Sequence, residues 1–493
     1  MNKQHTISIV VMLAIAILLV GACKKEIQQA PTITGVSGEL NTLNIGDRLV
    51  LAPNITNTRG NSYSWLINGK EVATGQINYT FEAKEAGDFE VTFRIDNKGG
   101  SDQKTFKITV EKAISIVIPE MQPFALSQVT EIKPTITGPD RNDYEYQWAI
   151  GDQVIGTGKN LNFISPESGN FTLTLKVSAG KQSVSATKNI QVSTATYIAN
   201  AYTVLEFVPA PGKLHNWSVI GDKANWQYFT EFPLPYSDFL AKASEMRKTN
   251  LYASLFVGAW GGQATFKFDH TVANVAGKTD LELMAYCSIK DLPAVYVAYD
   301  RNKNGKPDAD EWYELKNADY GLEDLPDYQM TFTHNRTETD ATRVYTYVDW
   351  ADNQVPPLQG QHVNNKTFNS GKTSEGKPST RGFFPGYYMD YTTKIGGFLA
   401  GWSTGPIVLK GKRVTKDVTG AAPFFQKFNL DIDNAVTAKG VPVVLPGVDF
   451  VKVQKVVYPM AKLAATGDVL QDQNMEEGRM LQVASIVDKN LKN

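Results

Sequence analysis

Between residues 27 and 195, short runs of alternating apolar and polar residues are bounded by Gly, Asn and Asp. Alternation with a period of two marks half-buried β-strands. The pattern occurs twice. In the first copy Tyr63-Ser64-Trp65-Leu66-Ile67 leads to Tyr79-Thr80-Phe81, then to Gly87-Asp88-Phe89-Glu90-Val91 and Phe106-Lys107-Ile108-Thr109-Val110. The second runs Tyr146-Gln147-Trp148-Ala149-Ile150, Leu161-Asn162-Phe163, Gly169-Asn170-Phe171-Thr172-Leu173 and Lys188-Asn189-Ile190-Gln191-Val192. Trp65 and Trp148 are 83 residues apart and Gly87 and Gly169 are 82 apart, so the copies keep register. About 80 residues with several short strands and one core Trp predict a β-sandwich. The division expected is 31–112 for the first module and 113–195 for the second.

A polar joint, Ser193-Thr194-Ala195-Thr196, leads to a third region over 197–493. Its strand-like runs include Ala253 to Val257, Ala264 to Phe268, Ala294 to Tyr299, Arg343 to Val348 and Val448 to Val457. Two stretches read as helices, Tyr236 to Lys248 and Met475 to Leu491. The polar stretch Asn353 to Arg381 reads as one long loop. The fold class expected is all-β: two tandem sandwich modules, then a larger sandwich or jelly-roll-like domain with long loops.

Composition sharpens this picture. Of 493 residues, 42% are hydrophobic and 20% charged, enough to bury a large core. The net charge of −2 leaves no whole-chain basic footprint, so no nucleic-acid partner is expected. The two Cys exclude a disulfide scaffold. Cys287 sits in an apolar run and is expected in a core.

The chain opens with Lys3, an apolar run from Ile9 to Val20, and Val20-Gly21-Ala22-Cys23. Twelve apolar residues are too few to span a bilayer, which takes roughly 20, and suit a signal peptide over 1–22. Small residues before a Cys resemble a bacterial lipobox. The resemblance implies acylation of Cys23, a linker over 23–30 and an outer-membrane lipid anchor.

The strongest chemical motif is Asp300-Arg301-Asn302-Lys303-Asn304-Gly305-Lys306-Pro307-Asp308-Ala309-Asp310-Glu311. It matches the calcium-loop pattern in full. Ca²⁺ takes six to eight oxygens. Asp300, Asn302 and Asn304 would supply side-chain oxygens, Lys306 its carbonyl, Asp308 a direct or water-mediated contact, and Glu311 both oxygens. The flanks are strand-like, so the loop is expected between strands, with Ca²⁺ as a structural cofactor.

The repeats resemble PKD and related Ig-like domains of bacterial surface proteins, although the usual Trp-Asp-Phe-Gly-Asp-Gly stretch is missing. The third region has islands at Val204-Leu205-Glu206-Phe207, Phe268-Asp269-His270, Glu311-Trp312-Tyr313-Glu314-Leu315, Val348-Asp349-Trp350 and Gly447-Val448-Asp449-Phe450. In this order they resemble Bacteroidetes PKD-bearing "cell surface protein" lipoproteins. The resemblance implies surface exposure and an accessory role beside a TonB-dependent outer-membrane transporter. The ligand would be extracellular, a corrinoid such as cobalamin or a glycan. After Gly212 the chain departs from the family pattern.

No nucleophile elbow, zinc helix, Walker loop or dinucleotide fingerprint occurs. The mature chain has four His, at 215, 270, 334 and 362, none at metal-ligand spacing from another. His270 is a candidate acid/base, and Glu206, Asp269, Asp349 and Asp352 are the carboxylates a glycosidase would draw on. The reading favoured is a non-enzymatic binding protein, with a carbohydrate-active hydrolase and an adhesive or structural protein as alternatives. Aromatic density marks the ligand surface: Phe383, Phe384, Tyr387, Tyr388, Tyr391 and Trp402 lie among Gly residues after the long polar stretch. The alternative there is a sandwich core.

Overall fold

The computed structural model describes residues 28–37, 41–121, 123–211, 220–221, 235–250, 253–258, 261–287, 293–316, 324–325, 328–339, 343–357, 359–367, 387–390, 395–398, 405–410, 413–414, 425–455 and 481–491. They are almost entirely β. Two compact units form. One comprises Met1–Pro119, Lys133–Lys159 and Leu173–Lys188; the other comprises Glu120–Ile132, Asn160–Thr172 and Asn189–Asn493.

In the first repeat a five-stranded sheet orders Thr42–Asn44, Gly100–Glu111, Gly87–Asn97, Ser62–Ile67 and Lys70–Thr74. A three-stranded sheet of Thr32–Ser37, Arg48–Thr56 and Tyr79–Glu82 completes the sandwich. The alternation read from the sequence is the burial pattern. Leu49, Leu51, Val91, Phe93, Ile95, Ile108 and Val110 point into one core while their neighbours face out. Trp65 is fully buried and packs 4.7 Å from Phe93 and 5.4 Å from Tyr79, ring centre to ring centre.

The second repeat has the same strand order: Phe124–Ala125, Gln182–Ser193, Gly169–Ala179, Glu145–Ile150 and Gln153–Gly156. Trp148 is again fully buried, and its indole N–H donates to the Gly158 carbonyl at 3.0 Å. The start of this repeat is tied to the end of the first. Arg141 donates to Glu111 Oε1 at 2.9 Å and grips both Asp143 oxygens. Gln182 pairs with the Lys112 carbonyl and the Ile114 N–H.

The third region is built on two sheets with a shared core. One orders Thr203–Val208, Gln263–Ala273, Gly447–Lys455, Pro293–Ala298, Trp312–Leu315 and Ala435–Val436. The other orders Ile220–Gly221, Ser254–Gly258, Leu481–Asp488, Leu281–Tyr286 and Phe425–Leu430. Phe266, Val295, Val297, Val451 and Val453 of the first and Leu255, Leu283, Val483 and Ile486 of the second lie in the same core cluster. Cys287 belongs to it, as its apolar setting predicts. A four-stranded sheet of Gln359–Thr367, Arg343–Asp352, Gln329–Thr339 and Ile407–Lys410 is separate.

Of the two expected helices, one is present. Tyr236–Thr249 is helical, with Asp238 in its first turn and Arg247 and Lys248 in its last, as the helix dipole favours. The other expectation is overturned. Leu481–Asp488 is a strand, paired on both edges. Its β-branched Val483, Ile486 and Val487 suit a strand, and burial on both faces removes the alternation that would have marked it. The expected loop over 353–381 also needs correction: Gln359–Thr367 is a strand, paired along its length with Arg343–Asp352. Residues 368–381 lie outside the described set.

Phe239, Ala243 and Arg247 recur at i, i+4 and i+8 and are all buried. Arg247 is fully buried. Its guanidinium donates to the carbonyls of Ala253 at 2.9 Å and of Ala201, Val483 and Ala484 at 3.3 Å. It also stacks 4.7 Å from the Phe266 ring. Burial pushes its pKa down to about 9, so it remains a cation at neutral pH. Arg247→Met keeps the stem and strands those carbonyls. Because an unsatisfied buried polar group costs ~1–3 kcal/mol, the variant should lose at least about 2 kcal/mol, read from the urea midpoint of the full chain.

Candidate functional site

The loop 299–311 connects Pro293–Ala298 to Trp312–Leu315, and Ala298 pairs with Trp312 across its base. The hairpin position follows from the strand-like flanks. Inside, short polar side chains fold the backbone onto themselves. Asp300 accepts the N–H of Asn304 at 3.0 Å and of Gly305 at 2.7 Å. Asn302 Oδ1 accepts Asn304 N–H at 3.1 Å, and Asn304 Oδ1 accepts Lys306 N–H at 2.7 Å. Gly305 sits at φ +77°, a conformation glycine adopts without strain.

At the far end Asp308 and Glu311 form a capping box around the single turn Ala309–Glu311. Glu311 is 2% exposed and closes the loop, accepting the N–H of Arg301 at 2.9 Å and of Asp308 at 3.1 Å. Arg301 pairs with Asp310 at 2.6 Å on the outside.

Three of the six predicted positions meet at one atom. Asn302 and Asn304 donate their amides to Asp308 Oδ2 at 2.6 and 3.0 Å. Amide groups there do what a cation would do, presenting positive charge to a carboxylate. An amide's oxygen and nitrogen exchange places by a half-turn. Turning both brings two carbonyl oxygens beside Asp308, an oxygen-rich set that suits a hard cation. Asp300 and Glu311 hold the main chain on either side, and Lys306 enters through its N–H on Asn304. Among the described residues no group of three His, Cys, Asp or Glu is arranged to hold a metal, so the set depends on the amides and main chain.

Asp449 and Lys267, outside the motif, brace the loop, and Lys303 within it reaches out to another segment. Asp449 accepts Asp300 N–H at 2.8 Å and the Thr271 hydroxyl at 2.5 Å. Lys267 donates to the Gly305 carbonyl at 3.1 Å, and Lys303 reaches the Val129 carbonyl at 3.5 Å. Asp449 lay in a recognisable island, Gly447-Val448-Asp449-Phe450. Nothing local marked Lys267.

Of the candidate catalytic groups, the described carboxylates and His334 are engaged by neighbouring side chains. Asp349 accepts from Asn335 and Gln361 at 2.5 and 2.6 Å, while Asp352 is buried and accepts from Tyr328 at 3.2 Å. Glu206 is exposed and accepts from Thr265 at 3.3 Å. His334 bonds Thr337 at 2.9 Å. His362 lies in the strand Gln359–Thr367, and His215 falls outside the described residues. Of the aromatic set, Tyr387 and Tyr388 lie on the strand Tyr387–Asp390, paired with Ile395–Phe398. Phe383, Phe384, Tyr391 and Trp402 lie outside the described residues, as does Cys23.

His270 is a strut. Its side chain is fully buried, with Nδ1 2.7 Å from Asp269 and Nε2 2.9 Å from Asp488. Tyr197 stacks on the ring at 4.9 Å, and Asp269 also accepts Ile198 N–H at 3.1 Å. The cluster ties the segment entering the third region to the last strand. Burial alone would lower the pKa of His270, but hydrogen bonds to Asp488 and Asp269 outweigh it and the value is raised. Asp280, fully buried, is pushed up to about 6 by burial, against three hydrogen bonds that favour its charge.

The two raised values act in the same direction. The His270 contribution is complete below its ordinary pKa of 6.5 and is lost as pH rises through the raised value. The Asp280 penalty accrues as pH rises from its ordinary 3.8 to about 6 and is nearly complete by then, so the His270 contribution sets the slope above it. The melting temperature should therefore fall as pH rises from 6 to 9, and His270→Gln should flatten that slope. Calorimetry across this range checks it; an equal slope in the variant refutes the strut.

Comparison with known proteins identifies the repeats. Residues 32–97 match a family model described as a PKD-like domain, and residues 112–192 match the PKD domain. Both matches fall inside the sandwiches described above. No curated protein matches the chain. Among solved structures the chain is similar to the N-terminal eight Ig domains of Down Syndrome Cell Adhesion Molecule, at 20% identity and TM-score 0.26. That match covers 34% of this chain and 25% of that one. It is also similar to the titin I-band fragment I67-I69, at 10% identity and TM-score 0.27, covering 68% and 97%. The chain thus spans a quarter of the eight-domain structure. PKD-type domains are typical of extracellular or surface proteins. No helix among the described residues is long and apolar enough to cross a membrane. With one PKD-type sandwich following the other, the chain is a PKD-domain-containing protein.

Proposed function

We propose that this is a surface lipoprotein, held in the outer membrane through acylated Cys23, whose third region captures an extracellular ligand for a TonB-dependent transporter. The observation that carries the surface reading is the pair of PKD-type modules in series before a larger β-domain. Such modules are spacers that hold a working domain away from an attachment point. A corrinoid or a glycan is the ligand class. The aromatic-rich stretch 383–402, with Tyr387 and Tyr388 on a short hairpin, supports a binding role. An adhesive or structural role is the second reading, favoured by the same modules, which are typical of such proteins.

One experiment separates these readings. Intact cells carrying the wild-type chain or Cys23→Ser are incubated with labelled cobalamin and with labelled plant and host glycans. The capture reading expects one ligand class to be retained by the wild type and lost to the medium in the variant. Retention of cobalamin makes the chain a corrinoid accessory, and retention of a glycan makes it a polysaccharide accessory. Failure to retain either moves the weight to adhesion.

Ca²⁺ in the loop 300–311 is part of the same proposal. Asp300, Asn302, Asn304, Asp308, Glu311 and the Lys306 carbonyl would hold it, and it would supply the positive charge that two amides now present to Asp308. Its role is structural, fixing the hairpin that carries Trp312-Tyr313-Glu314-Leu315. Calcium titration by calorimetry should give a binding signal that Asp300→Ala abolishes. EDTA should lower the melting temperature of the wild type, and an unchanged value would overturn the structural role.

A further inference from the structure

Only Lys112, Ala113 and Ile114 separate the two sandwiches. Glu111 ends the closing strand of the first module, where it pairs with Asn44. Ser115 already pairs with Thr137 of the second. Three residues reach at most about 11 Å. A linker this short still acts as a hinge if its backbone is bonded only to water. This one is held by the module it leads into.

One side chain grips the linker at two points. Gln182, the first residue of the strand Gln182–Ser193, donates Nε2 to the Lys112 carbonyl at 3.0 Å and accepts the Ile114 N–H on Oε1 at 2.9 Å. The amide stands in for the peptide group of a neighbouring strand, offering one donor and one acceptor. Two bonds to two points fix direction as well as distance. Ile114 is 5% exposed. The main chain comes close to it because Gly138 has no Cβ: one placed there would lie 3.3 Å from Ile114 Cγ1 and 2.5 Å from the Tyr144 hydroxyl. The first module holds its own incoming chain at the corresponding hairpin, where Asn97 donates to the Gln29 carbonyl at 3.0 Å.

A strut stands beside the linker. Arg141 donates Nη1 to Glu111 Oε1 at 2.9 Å, while its Nε and Nη2 donate to the two Asp143 oxygens at 2.7 and 2.6 Å. Asp143 thus orients the guanidinium from within the second module, and the remaining N–H reaches the end of the first. The Glu111 side chain is 13% exposed, so little water competes for it. Both partners line an open cleft of about 940 Å³, with Asp88 and Thr109 on one side and Ile136 and Tyr146 on the other. Bending at the linker would open or close that cleft, and the strut ties its two sides. The division of the chain agrees: the compact unit that holds the first module also holds Lys133–Lys159 and Leu173–Lys188 of the second.

We propose that Gln182 and Arg141 lock the joint between the two PKD-type modules, making them a stiff arm and not two beads on a flexible tether. This deepens the reading of the modules as a spacer, on which it rests. Both are positioning residues. A stiff arm sets the height and the direction of what it carries, whereas a tether sets only its reach.

The test is a double electron–electron resonance measurement on the full chain. Spin labels go on Lys70→Cys and Asp152→Cys, exposed positions on corresponding hairpins of the two modules, in a Cys23→Ser background. Cys287 is 1% exposed and out of reach of the label. One narrow distance distribution is expected. Gln182→Ala combined with Arg141→Ala should broaden it by about twofold or more, each single variant should broaden it less, and melting temperatures should stay within a few degrees of wild type. Arg48→Ala, which breaks an exposed ion pair with Glu82 inside the first module, should leave the width unchanged. If the double variant fails to fold, the single variants decide. A broad distribution in the wild type overturns the fixed joint. A width unmoved by the double variant, or broadened equally by Arg48→Ala, overturns the assignment to Gln182 and Arg141. Neither outcome touches the surface-capture reading, which ligand retention by intact cells decides separately.

Discussion

The strand Leu481–Asp488 runs between Ser254–Gly258 and Leu281–Tyr286, hydrogen-bonded to both. Its partners lie far upstream, so closing this sheet carries the loop-closure entropy of a long chain segment. Only burial repays that. Leu481, Val483, Ala484 and Ile486 are all fully buried, and at ~25 cal/mol per Å² each removes a large apolar surface from water. Arg247 adds two carbonyl contacts to this strand, and His270 grips its last residue, Asp488. The helix, the entry segment and both sheets therefore meet at the element made last. The core shared by the two large sheets is incomplete without that strand.

What was legible in the sequence follows from range. The repeats were readable because alternation is local and each module faces water on one side of each sheet, so Trp65 and Trp148 stood out as core. The hairpin loop was readable for the same reason: its six positions lie within twelve residues. Met475 to Leu491 misled because a strand buried on both faces shows no period of two, and its length and Ala and Met content suit a helix. Gln359–Thr367 was hidden by its composition. Its Gln and Asn residues disfavour strands, and long pairing with Arg343–Asp352 overrides that preference. The island Phe268-Asp269-His270 was visible, but nothing in the sequence tied it to Asp488. Asp269 and Asp488 are 219 residues apart.

The loop 299–311 is where local and distant order join. Its inner bonds are made by its own Asp and Asn residues, and its outer bonds by other elements. Lys267 and Asp449 seat it on the six-stranded sheet, while Lys303 extends to the Val129 carbonyl in the segment Glu120–Ile132. That segment is itself seated on the sheet through Thr271 N–H and the Ser127 carbonyl at 3.0 Å. A change in the loop is therefore felt in two directions, at the strand that follows it and at the segment it touches.

The short strands Thr42–Asn44 and Phe124–Ala125 pair parallel with the closing strands Gly100–Glu111 and Gln182–Ser193 of their modules. Antiparallel neighbours pulled at one shared end open like a zip, one bond at a time. Parallel neighbours pulled from opposite ends slide, and every bond between them bears the load together. In each module the parallel pair joins an early strand to the closing strand, after a first strand that pairs antiparallel in the other sheet. Under tension along the chain, the parallel pairs would be loaded in shear while the pairs made by Thr32–Ser37 and Ser115–Val117 would be loaded from the entering end.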